Sequence, residues 1–123
     1  MADKRVLVVD DSATVRDQVS RALSAAGFEV VEANDGRAGA DLIASDRTLS
    51  LVIADVNMPL MNGIEMLEEV RRSPATATLP VLMLTTEGQP ALMRRAKAAG
   101  AAGWIVKPFQ VPQLVAAVQR LAR

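Results

Sequence analysis

Short apolar runs alternate with longer amphipathic segments along the whole chain. Five runs made almost entirely of valine, leucine, isoleucine and other apolar residues lie at positions 6–9, 30–31, 51–54, 81–84 and 104–106. No charged residue interrupts any of them. Continuous apolar character, rather than alternation of apolar and polar positions, is typical of strands that are buried on both faces. The pattern therefore predicts five strands of a parallel sheet.

The segments between these runs have the period and the boundary residues of helices. In the first segment, Val19 and Leu23 lie on one stripe, and Gly27 follows as a helix stop. In the second, the period predicts that Ala38 and Leu42 point inward. The predicted helices cover residues 12–26, 36–44, 63–72 and about 90–99, with a last helix that begins near Pro112.

Strands and helices thus alternate five times, which predicts an α/β fold: a doubly wound sheet with helices on both faces. In such a sheet the carboxyl ends of the strands lie at one edge, here called the carboxyl edge, where ligands bind. Polar residues follow four of the five strands at that edge. They are Asp10, Asp11, Asp55, Thr85 and Lys107.

Three carboxylates at one edge repel one another unless a cation lies among them, and ligation by oxygen alone favours a hard ion such as Mg²⁺. A carboxylate can also act as a nucleophile toward phosphorus, and catalysis of that step consists mostly of positioning and charge neutralisation. Lys107 and Thr85 would contact the oxygens of a group transferred to Asp55. The edge is therefore a candidate magnesium and phosphoryl site.

Composition excludes several other kinds of site. The 14 basic and 14 acidic side chains balance, so binding of nucleic acid or of an anionic membrane through bulk charge is not expected. The chain has no cysteine and no histidine, which excludes disulfides, zinc sites with these ligands, serine–histidine pairs and phosphohistidine in this chain. The first apolar run is too short for a signal peptide or a membrane span. We expect one domain, residues 1–123, located in the cytoplasm.

The motifs at the carboxyl edge resemble those of response-regulator receiver domains, in particular the single-domain chemotaxis regulators of the CheY type. The similar segments are Val6-Leu-Val-Val-Asp-Asp-Ser12, Asp55-Val-Asn-Met-Pro-Leu-Met-Asn-Gly63, Leu84-Thr-Thr86 and Gly103-Trp-Ile-Val-Lys-Pro-Phe109. Together, in this order and at these spacings, they are specific to that family. The resemblance implies a flavodoxin-like sheet with strand order 2-1-3-4-5.

The resemblance also implies a role for each residue of the edge. Asp55 would be the phosphoacceptor, and Asp10 and Asp11 would bind Mg²⁺ together with the Asp55 carboxylate and the Asn57 carbonyl. Lys107, joined to Pro108 by a cis peptide bond, would pair with the phosphoryl group.

The remaining family positions concern switching and phosphoryl lifetime. Thr85 would be the switch hydroxyl, and Trp104 occupies the place of the aromatic residue that follows its state. Asn57 and Glu87 would flank the phosphoryl group and tune its hydrolysis, so we expect a phosphoryl state that is short-lived. Thr86 stands where the family usually has alanine or glycine, and its bulk would narrow access for a phosphodonor or an attacking water.

Function follows from the same resemblance. A histidine kinase of the CheA type would donate the phosphoryl group, and the fourth helix, fifth strand and fifth helix would form the output face of a monomer. The output protein is not specified, with the flagellar motor as a candidate. The residues expected at that face are Ala91, Ala96, Ala98, Ala99, Trp104 and residues 110–113.

Several alternatives remain open. The same residues would serve a phosphate sink, a phosphorelay receiver or a receiver domain from a hybrid kinase. A haloacid-dehalogenase-like phosphatase also uses an aspartate nucleophile with Mg²⁺, but Asn57 stands where those enzymes have a second aspartate. Trp104 has core packing as an equally strong explanation, and Arg71 is expected on a solvated helix face.

Overall fold

Five parallel strands form one sheet in the order β2-β1-β3-β4-β5, which confirms the predicted topology. The computed structural model describes residues 4–86 and 90–123, without the side chain of Thr86. The strands are β1 (Arg5–Val9), β2 (Glu29–Ala33), β3 (Leu49–Asp55), β4 (Val81–Thr86) and β5 (Gly103–Lys107). The helices are α1 (Ala13–Ala25), α2 (Gly36–Ser45), α3 (Gly63–Arg72), α4 (Pro90–Ala98) and α5 (Val111–Leu121).

The strand β2 is longer than the apolar run that predicted it. It covers Glu29–Ala33, whereas the apolar run predicted only residues 30–31. Because β2 pairs with β1 alone, it is an edge strand, and Glu29 and Glu32 are exposed along it. In an edge strand, a continuous apolar run covers only the residues that pack against the two faces of the sheet, so the run is shorter than the strand.

Side chains at the helix boundaries explain where three helices begin. The Ser12 hydroxyl accepts a hydrogen bond from the Val15 amide at the start of α1. The Asp35 carboxylate accepts one from the Ala38 amide at 2.7 Å at the start of α2. A capping box at α3 pairs Asn62 with Glu65 in both directions. These caps fix the helix starts next to the carboxyl edge, because each of the three follows a strand end.

Each face of the sheet covers its own hydrophobic core. Leu7 and Val9 point to the core under α2, α3 and α4, whereas Val6 and Val8 point to the core under α1 and α5. Inaccessible residues from β3 and β4 contribute to both cores. At about 25 cal/mol per Å² of buried apolar area, such cores supply the main stabilising term of the fold. The strand ends are therefore held from both sides.

Two predictions about individual side chains were wrong, and a third holds only in part. The most buried positions of α2 are Gly36, Gly39, Ala40 and Ile43, whereas Ala38 and Leu42, predicted to point inward, are partly buried against the same core. A Cβ atom on Gly39 would lie 2.9 Å from Val9 Cγ2, so small residues let this helix approach the sheet closely.

Ala96, expected at the output face, is 1% exposed and belongs to the core under α4. Arg71, expected in solvent, is partly buried and donates to the carbonyl oxygen of Gly100 at 2.9 Å and to that of Thr76 at 3.3 Å. Both deviations have one cause, because α4 and the turn after it pack against α3. Within the described residues, no helix has the length and apolar character that a membrane span requires.

Gly63 is the point where α3 lies directly on the end of β3. Its amide donates to the Val56 carbonyl at 3.1 Å. A Cβ atom at this position would lie 2.2 Å from the carbonyl oxygen of Asp55, which is backbone and has little freedom to move. Only glycine allows this approach.

We predict that Gly63→Ala lowers the free energy of unfolding by about 3 kcal/mol, because the clash forces α3 away from β3. Chemical denaturation checks this value. Gly103→Ala is the matched control, since its Cβ would meet Leu82 at an ordinary 3.5 Å. The control should lose no stability. Equal losses in both variants would contradict the explanation.

Candidate functional site

Three carboxylates meet at the carboxyl edge, as the sequence predicted. Asp10 directly follows β1, Asp55 ends β3, and the two strands are neighbours in the sheet. One carboxylate oxygen from each of Asp10, Asp11 and Asp55 lies within 4.8 Å of the others. Asp10 is 0% and Asp55 6% exposed, whereas Asp11 is open to solvent. Two of the three carboxylates are thus buried, and the third is accessible to solvent.

Lys107 completes the cluster from the end of β5. Its Nζ lies 3.2 Å from Asp10 Oδ2 and 3.3 Å from Asp55 Oδ1. The peptide bond that follows, Lys107–Pro108, is cis, as predicted. Three ionised carboxylates and one ammonium group leave a net charge of −2 at this point. The ammonium group therefore neutralises the cluster only in part.

Asp10 has a partner for each of its polar groups. Its carboxylate accepts from the Ser12 amide at 2.9 Å and from the Lys107 ammonium at 3.2 Å. Its amide donates to the Ala33 carbonyl at 3.2 Å. The remaining group, its carbonyl oxygen, accepts from Arg16 Nη1 at 2.7 Å. The sequence did not identify Arg16 as a residue of the site. No sequence pattern indicates that an arginine side chain folds back over the first turn of its own helix.

Thr85 brings a hydroxyl to the same edge. It is 2% exposed and precedes the last residue of β4, next to Val106 of β5. Its Oγ1 has no hydrogen-bond partner among the described residues. A buried hydroxyl without a partner is unfavourable by about 1–3 kcal/mol. Within the described residues, the hydrogen-bonding capacity of this hydroxyl is therefore unused.

Burial has the largest effect on the pKa of the Asp55 carboxyl group. Removal from water raises the pKa of its carboxyl group above the ordinary value. The Lys107 ammonium lowers the pKa, the Asp10 carboxylate raises it, and hydrogen bonds from Lys107 and from the Asn57 amide lower it, without reversing the result. A raised pKa means that the ionised carboxylate, the form that binds cations and attacks phosphorus, is less favourable here than in water.

The other predicted residues lie around this cluster or outside the described residues. Asn57 is exposed two residues beyond Asp55. Thr86 ends β4, but its side chain is outside the described part, and Glu87 lies wholly outside it. The tuning roles predicted for these three residues stay predictions.

Trp104 lies on the surface. Its side chain is 39% exposed, and it lines a groove with Gln113 and Ala117 of α5. It belongs to neither hydrophobic core. Core packing, the alternative explanation for this residue, is therefore wrong in this conformation. In the sheet, Trp104 is paired with Met83, two residues before Thr85.

The donor set fits a hard divalent cation. Oxygen is the only ligand element offered, two of the three carboxylates are held by buried strand ends, and the net charge of −2 matches one doubly charged ion. Mg²⁺ keeps several waters and needs few protein ligands, which agrees with the open side at Asp11. Asp10, Asp11 and Asp55 would hold the ion.

Comparisons with known proteins agree over nearly the whole chain. A family model described as the response regulator receiver domain matches residues 6–119. A probable chemotaxis protein CheY of Rhizobium etli is 39% identical, covering 94% of this chain and 89% of that protein. A chemotaxis protein CheY homolog of Campylobacter jejuni is 39% identical, covering 90% and 85%. The solved structure of chemotaxis protein CheY4 of Vibrio cholerae matches with a TM-score of 0.90 at 43% identity, covering 98% and 99%.

We predict that Asp55→Asn stabilises the metal-free protein at pH 7 by roughly 1 kcal/mol, because it removes a buried charge. Because the folded-state pKa of Asp55 lies above its unfolded value, the contribution of this group to stability is full below the unfolded pKa and is lost as pH rises through the folded pKa. The gain of the variant should therefore grow with pH across that window. Denaturation with EDTA at several pH values measures it.

Asp17→Asn is the control for this measurement, because Asp17 is exposed and, among the described residues, pairs only with Arg21 on the surface of α1. It should change stability by no more than about 0.5 kcal/mol. A less stable Asp55→Asn protein at pH 7 would mean that the contact with Lys107 outweighs burial.

Proposed function

The chain belongs to the response regulator receiver domains, which act as phosphorylation switches of two-component systems, and from this premise we propose that Asp55 is its phosphoacceptor. One observation carries the assignment. Lys107 Nζ lies 3.3 Å from the Asp55 carboxylate, and Asp55 shares a cluster of oxygens with two further carboxylates. A nucleophile, a cation site and a fixed positive charge thus converge.

The reaction that we propose is transfer from a phosphohistidine. An Asp55 carboxylate oxygen attacks phosphorus, the phosphorus–nitrogen bond breaks, and the electron pair leaves with the imidazole of the donor. Mg²⁺ held by Asp10, Asp11, Asp55 and the Asn57 carbonyl would neutralise charge on the transferred group. Lys107 would pair with a phosphoryl oxygen, and the Thr85 hydroxyl would donate to another. The domain would catalyse only its own phosphorylation and dephosphorylation.

The switch would run along the β4–β5 pair. The Thr85 hydroxyl has no partner in the described part of the chain, and Met83, two residues earlier on the same strand, is paired with the exposed Trp104. Movement of Thr85 toward a phosphoryl group would change the packing around Trp104. The output face would then be the exposed surface of α4, β5 and α5, including Ala91 and Ala98 but without the buried Ala96.

A histidine kinase must supply the phosphohistidine, because this chain has no histidine. The similarity to chemotaxis proteins supports a kinase of the CheA type and, as output protein, a component of the flagellar motor. We further propose a cytoplasmic monomer with one receiver domain over residues 1–123. Because acidic and basic side chains balance, we propose no nucleic acid or membrane partner that binds through bulk charge.

The comparisons do not favour the alternatives. The matched chemotaxis proteins are similar to this chain over 85–89% of their own length, and neither is described as a phosphate sink or as a hybrid kinase. A haloacid-dehalogenase-like phosphatase is not supported, because Asn57 has no carboxylate to act as acid and base.

We predict that acetyl phosphate with Mg²⁺ adds one phosphoryl group to the wild-type protein, seen as a mass increase of the intact chain that alkali removes. Asp55→Asn should gain none, and EDTA should abolish the reaction. Phosphorylation of the Asp55→Asn protein at a similar rate would place the acceptor elsewhere. Loss of the phosphoryl group should be fast, and persistence for hours with Mg²⁺ would contradict the lifetime expected from Asn57 and Glu87.

We predict that beryllofluoride, a stable mimic of the phosphoryl group, changes the fluorescence of Trp104 in wild type but not in Asp55→Asn. The tryptophan is the only one in the chain, so the signal has one source. A pull-down with purified flagellar motor components should retain them only with beryllofluoride. A fluorescence change without any dependent partner would favour the phosphate sink.

A further inference from the structure

Arg16 makes a contact that the proposed chemistry does not use. Its Nη1 donates to the carbonyl oxygen of Asp10 at 2.7 Å, and its Nε lies 3.3 Å from Glu32 Oε1 on β2. Its side chain is 20% exposed. One guanidinium group therefore joins α1 and β2 to the turn that follows β1.

The Asp10 carbonyl belongs to the peptide group that links Asp10 to Asp11. Because this group is planar, fixing its oxygen fixes the plane from which both side chains depart. Asp10 is also held through its carboxylate and its amide. Asp11, by contrast, is exposed, and its direction depends on the backbone of the turn.

We propose that Arg16 is a positioning residue for the magnesium site: it holds the Asp10–Asp11 peptide group so that both carboxylates face the cation. This inference rests on the proposed function, since it concerns the cation site. Glu32 orients the guanidinium group, whose planar fork reaches the Asp10 carbonyl and the Glu32 carboxylate at once. Arg16 would act on the cation only through Asp10 and Asp11.

Charge and geometry predict opposite results when Arg16 is replaced. Removal of a positive charge near the cluster should tighten the binding of a cation if Coulomb interaction alone matters. Loss of the hydrogen bond to Asp10 should weaken binding, because partners that orient metal ligands are typically worth 10–100-fold in affinity. The sign of the change therefore separates a positioning role from an electrostatic one.

The experiment measures Mn²⁺ binding to the unphosphorylated protein by the loss of the free-ion paramagnetic resonance signal, with Mg²⁺ as competitor. We predict that Arg16→Met binds Mn²⁺ about tenfold more weakly than wild type. Arg21→Met is the matched control, because it removes the same charge from the same helix at a side chain paired only with Asp17. It should bind within about twofold of wild type. Equal or tighter binding by Arg16→Met would overturn the proposal.

Arg16→Lys keeps the positive charge and tests the positioning role if Arg16→Met does not fold. A single ammonium group lacks the fork that reaches both partners, so weaker Mn²⁺ binding is again expected, and wild-type affinity would overturn the proposal.

A second measurement needs no metal. The Ser12 amide donates to Asp10 Oδ1 within the turn, so its hydrogen exchange should be faster in Arg16→Met than in Arg21→Met. Failure of wild type to bind Mn²⁺ would contradict the magnesium site itself, whereas unchanged exchange at Ser12 would contradict the role of Arg16.

Discussion

Negative charge confined at the carboxyl edge is the constraint on which the rest of the structure depends. Two nearly inaccessible carboxylates, Asp10 and Asp55, share a small space with Asp11, and one ammonium group, that of Lys107, contacts both buried ones. Without a cation this arrangement is unfavourable, as the raised pKa of Asp55 indicates. It persists because two close-packed cores hold the strand ends in place. The packing of the two cores thus offsets the unfavourable burial of charge at this site.

The same imbalance supports the proposed phosphorylation of Asp55. In that reaction the Lys107 ammonium group and the Thr85 hydroxyl, which has no partner among the described residues, would both contact the group on Asp55. Because β4 and β5 are neighbours, a change at Thr85 lies only two residues along the strand from the partner of Trp104. The proposed switch would therefore connect the site with the exposed tryptophan through one pair of strands.

Much of the fold and of the site could be predicted from the sequence because strong local signals coincide there. Fully buried strands such as β3 give continuous apolar runs, and the polar residue that follows such a run marks the end of the strand. The signal failed where burial comes from packing of distant segments. Ala96 and Arg71 look like surface positions until α4 packs on α3, and β2 is longer than its apolar run because an edge strand tolerates glutamate.

The sequence by itself determined the order of strands and helices, the residue types at the carboxyl edge and, through family motifs, the strand order. These depend on local periodicity and on residue identity. Tertiary structure alone decided which atoms meet: Lys107 between two carboxylates, a Thr85 hydroxyl without a partner among the described residues, Trp104 at the surface and Arg16 on the Asp10 carbonyl. The reason is that a side chain's rotamer and partners are set by neighbours brought together only when the sheet and helices pack, and no spacing along the chain encodes them.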